Sequence, residues 1–93
     1  MEESYKFLVE NWGEEIAKAI KEEAERNPLN ITHKEFFNHC TACGGNWGGL
    51  LLSGIKELSP AIWKLIPDNM GKNGVTAFAC LCDVLALLNV TED

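Results

Sequence analysis

An all-α fold, one compact bundle of four to five helices with a central apolar C-terminal helix, is what this sequence predicts, on three observations. Apolar residues recur at helical spacing through residues 3–26, helix starts and stops punctuate the rest of the chain, and no segment alternates convincingly at period two. With 93 residues, 46% apolar and 24% charged, the chain is expected to fold as a single domain, residues 1–93, around a modest core.

In the first segment Tyr5, Leu8, Val9, Trp12, Ile16, Ala19 and Ile20 fall on one stripe of a 3.6-residue repeat. Glu10, Glu14, Lys18, Lys21 and Glu25 take the other side, with Glu14/Lys18 and Glu22/Arg26 at the favourable i,i+4 spacing. The spacing predicts one long amphipathic helix over 3–26. Gly13 lies inside it at a cost of about 1 kcal/mol relative to alanine, so either a close packing contact compensates or the helix bends there.

The stretch Asn27-Pro28-Leu29-Asn30 ends that helix, because proline cannot continue the ladder and pushes the residue before it toward extended geometry. Thr32 and Glu35 then form a T-x-x-E capping box, with Ile31 and Phe36 placed as its hydrophobic staple. A second helix of about three turns is expected from His33 toward Cys43, stopped by Gly44. Asn46 is placed to cap a third over WGGLLLSGIKEL, and Ser59 with Pro60 to start a short fourth that Pro67 interrupts. After the turn-rich PDNMGKNG, Asn73 is placed to cap a final helix from about Gly74 to Asn89. That helix is apolar nearly all round, with Thr76 and Asp83 as a thin polar stripe, which marks a helix central to the bundle or buried by a partner.

The net charge of −6 is uneven, since residues 1–30 carry eight Glu against four Lys or Arg. Such a surface, with no basic stripe, repels phosphate backbones, so nucleic acid is not an expected partner. The opening MEESYKFLVE has acids where a secretory signal has basic residues, and the apolar runs are too short to span a bilayer. A cytoplasmic protein without a membrane segment is expected. There its four cysteines stay reduced and are core residues, metal ligands or redox groups before they are disulfides.

The stretch NHCTACGGNWGGLLLSG, residues 38–54, admits four readings. As a zinc site it offers Cys40-x-x-Cys43, with one of Cys80 or Cys82 and one histidine, His39 or His33, to complete a Cys₃His set; Cys80 and Cys82 themselves diverge by about 160° on a helix. As a redox pair it lies at a helix C-terminus, where the dipole opposes a thiolate. As a phosphate cradle it has neither a preceding strand nor a following Gly-Lys-Ser/Thr. The favoured reading is a tight corner: Gly44/Gly48 and Gly45/Gly49 let another backbone approach closely, with the cysteines turned inward. A small-ligand pocket at His39, Asn46 and Trp47 is the remaining alternative.

His33 is expected to be exposed and His39 partly buried and hydrogen-bonded, while Trp12 and Trp63 read as core. No catalytic constellation can be assembled. The expected function is a non-enzymatic interaction module without a cofactor, self-associating or binding a partner helix through Phe78, Leu81, Leu85, Leu88 and the neighbouring Trp47. A structural zinc domain using Cys40, Cys43, His39 and Cys80 is the alternative.

Overall fold

A computed structural model describes residues 2–41, 47–67 and 75–92, and the fold it shows is all-α. Its elements are α1 (Glu2–Trp12), α2 (Glu14–Arg26), β1 (Ile31–Thr32), α3 (His33–Phe37), α4 (Trp47–Leu58), α5 (Pro60–Leu65), α6 (Val75–Leu87) and β2 (Val90–Thr91). The expected caps Asn46 and Asn73, and with them Cys43, Gly44, Gly45 and the side chain of Trp47, lie outside the described residues.

The helix expected over 3–26 is two helices. Gly13 has φ +95° and ψ 154°, a conformation open to glycine and strained for any L side chain. The bend is sharp, because Lys21 of α2 holds its Nζ 4.9 Å from the Tyr5 ring of α1. In a continuous helix rising about 1.5 Å per residue, the two would lie roughly 24 Å apart. The chain therefore folds back as a hairpin, and α1 packs against both α2 and α6. At that second interface the Ser4 side chain lies beside Asp83.

The capping box forms as expected: Glu35 N–H donates to Thr32 Oγ1 at 3.1 Å, and Thr32 N–H donates to Glu35 Oε1 at 3.0 Å. The helix it starts is shorter than expected, ending at Phe37. β1 pairs in parallel with β2, Ile31 with Val90 and Thr32 with Thr91. Asn30 and Asn89, both at positive φ, precede the two strands, and Asn89 Nδ2 donates to Asn30 Oδ1 at 2.6 Å. This two-residue ladder is too short to leave an alternation in the sequence.

α4 covers the predicted WGGLLLSGIKEL. Pro60 opens α5 at its first turn, but Ser59, expected to cap it, makes no side-chain cap bond. α6 is the central helix and packs on α1, α2 and α4. Ala77, Cys80, Leu81, Val84 and Leu85 along it are buried, as is Leu88 just beyond, and they meet Leu8, Ile20, Leu51 and Ile55 in one core. Among the described residues no helix is long and apolar enough to cross a membrane.

Candidate functional site

Helix α4 uses its two sides differently. Leu51 and Ile55, four apart, enter the core, whereas Gly49, Leu52, Ser53, Lys56 and Glu57, at spacings of three and four, share the opposite face. That face is one wall of an open groove of 710 Å³, which Thr41 and Trp63 complete.

Trp63 stands in the groove because α5 turns Ile62 into the core, with Ile66 buried just past its end, and the residue after Ile62 is turned about 100° away from it. It is 36% exposed, a correction to its reading as core. The Lys56 ammonium lies 4.8 Å from the indole centroid, a cation–π contact that lays the lysine stem along the ring. Trp12, the other tryptophan read as core, packs partly buried against it.

Two side-chain contacts staple the segment after α3 to α4: His39 Nδ1 and Glu57 Oε1 lie 3.1 Å apart, and Ser53 Oγ accepts from Thr41 N–H at 3.0 Å. Within α4 the same Ser53 Oγ donates to the Leu50 carbonyl at 2.7 Å. Between the two staples Cys40 and Phe36 close on Gly54, where an added Cβ would lie 2.7 Å from both Cys40 Sγ and Phe36 Cζ. Gly54 thus permits close approach, further along α4 than the pairs on which the corner reading rested. His39 is hydrogen-bonded as expected but exposed, because its partner Glu57 lies on the solvent side of α4. His33 is exposed.

Gly54→Ala should lower stability despite the better helix former. Overpacking costs about 1–3 kcal/mol, against a propensity gain of roughly 1 kcal/mol. Urea unfolding checks this: the midpoint falls in Gly54→Ala, and the loss is smaller when Cys40→Ala has first removed the sulfur.

The candidate zinc ligands are placed apart in function. Cys40 turns its Sγ toward the Phe36 carbonyl at 3.6 Å, and Cys80 is fully buried with its thiol pushed up to about 11 by desolvation and by Asp83. Such a thiol stays protonated and packs as a small hydrophobe. Cys82, two residues on, is exposed, so the predicted divergence of this pair holds. Among the described residues no three of His, Cys, Asp and Glu are grouped to hold a metal ion, and Cys43 is outside them.

The residues assigned to an interaction surface also separate. Leu81 and Leu88 are fully buried and Leu85 nearly so, packed within their own chain, which leaves Phe78, at 38%, as the exposed one among those whose side chains are described. Sequence reasoning missed Ser53, Lys56, Glu57 and Trp63 as a site. The available signal was the polar spacing along α4 and the displacement of Trp63 by one position from Ile62. Comparison with known protein families, curated proteins and solved structures found no match to this chain.

Proposed function

We propose that this chain is a small non-enzymatic interaction module that binds an amphipathic, basic helix of a partner protein in the groove between α4 and α5. The observation that carries the reading is Trp63, a large aromatic side chain held half in solvent, beside Leu52 and Gly49, where a second helix has room to lie. Exposed tryptophan on a rigid element is the side chain most enriched among residues that dominate binding energy. An apolar stripe laid in a groove is a recurring mode of helix recognition.

Charge sets the kind of helix. Lys56 and Glu57 cancel within the groove, so the sign of the partner follows from the −6 of the whole chain, which attracts a basic segment and repels an acidic one. A catalytic use of the same residues is less well supported. Ser53 Oγ is engaged with backbone of Thr41 and Leu50, and His39 is engaged with Glu57 rather than with Ser53.

The test uses a fluorescein-labelled leucine–lysine amphipathic peptide and its leucine–glutamate counterpart. Anisotropy should show binding of the lysine peptide, weakened by salt, and little binding of the glutamate peptide. Trp63→Ala should weaken it by about 30-fold, the loss of a dominant contact, while leaving thermal stability nearly unchanged. Equal affinity in Trp63→Ala, or equal binding of both peptides, would contradict the reading. Sedimentation equilibrium of the protein alone addresses the remaining occupant: a dimer abolished by Trp63→Ala would replace the partner helix with a second copy.

A further inference from the structure

The apolar stripe of residues 5, 8, 9, 12, 16, 19 and 20 runs through Gly13 as though the helix were unbroken. The backbone ladder nearly does the same, with Gly13 N–H donating to the Val9 carbonyl at 3.0 Å and Ala17 N–H to the Gly13 carbonyl at 3.0 Å. The entire reversal between α1 and α2 is thus held in the φ and ψ of one exposed glycine. No cap side chain serves the first turn of α2, and straightening would return the N–H groups of residues 14–16 to the carbonyls of residues 10–12.

We propose that Gly13 is the hinge of a helix exchange, in which α1 and α2 straighten into one helix and α1 packs on α2 and α6 of a second copy. Leu8 is fully buried, so α1 cannot swing out into water without losing its main apolar contact. Reciprocal exchange restores that contact twice over, along with Tyr5 on Lys21 and Ser4 on Asp83, now between chains. The closed two-fold dimer differs from two monomers chiefly at the two hinges and in the entropy of association. Glycine tolerates φ +95° and so favours the monomer.

A Cβ at position 13 would meet nothing within 4 Å, so a methyl group there changes backbone preference without a clash. This makes a stereochemical test clean in a chemically synthesised chain. Gly13→Ala strains the hairpin and relieves two hinges per dimer, so its dimer dissociation constant should fall about 100-fold relative to wild type, at roughly tenfold per hinge. D-alanine at the same position is at ease at positive φ and should stay monomeric. Sedimentation equilibrium separates the two variants. Isotope-filtered NOEs in a mixture of labelled and unlabelled chains should then place Leu8 of one copy against α6 of the other. A Gly13→Ala variant that is monomeric or unfolded, or a dimer without those inter-chain contacts, overturns the proposal. The groove is not involved, so Trp63→Ala should leave the exchange unchanged, and each reading can fail without the other.

Discussion

Phe36→Ala should lower the unfolding free energy by about 3–5 kcal/mol, the range for removing a buried aromatic ring. Phe36 is fully buried, stacks edge to face on Phe37 with centroids 5.9 Å apart, and presses its ring tip toward Gly54. The glycine offers no side chain to collapse into the space, so the cavity would persist and the cost lie toward the upper end. Against the 5–15 kcal/mol typical of a domain, that is a large share of the total. Urea unfolding measures it directly. A second consequence reaches the groove: Phe36 anchors the short helix α3, from which Cys40 and Thr41 run onto α4, so peptide binding should weaken in Phe36→Ala even where the protein is folded.

Leu81→Ala should cost about 2–5 kcal/mol, and the loss should be independent of protein concentration. Leu81 has no exposed surface and sits in the core that α6 shares with α1, α2 and α4. Were this face of α6 an interface between chains, stability would rise with concentration in the wild type, and the substitution would remove that dependence. Thermal unfolding over a hundredfold concentration range distinguishes the two. A cost below about 1 kcal/mol would contradict the placement of Leu81 in a packed core.

The elements most legible in the sequence are those with local chemistry at their ends. Thr32 with Glu35 and Pro60 each announce a helix start that depends on a few neighbouring residues, and α6 shows its central position by being apolar nearly all round. The hairpin at Gly13 was not legible, because a stripe that serves one continuous helix serves two packed helices equally well. Only tertiary contacts choose between them, and the Tyr5–Lys21 contact is such a contact. For the same reason α6 led Leu81, Leu85 and Leu88 to be read as a binding face: hydrophobic periodicity reports burial without saying by what. The groove joins residues near 39–41 to residues 49–63 through His39–Glu57 and Thr41–Ser53, pairings that no spacing rule connects. Trp63 was read as core from its place on an apolar stripe, whereas the inward side of the six-residue α5 belongs to Ile62, with Ile66 buried just past its end.

The most direct measurement of the central claim is fluorine NMR of the protein with 5-fluorotryptophan at its tryptophan positions, titrated with the leucine–lysine peptide. Trp63→Phe assigns the Trp63 signal by its loss. Binding in the groove between α4 and α5 predicts that the Trp63 resonance shifts with saturation while that of Trp12 stays in place. A Trp63 resonance that does not move while the peptide is bound would contradict it.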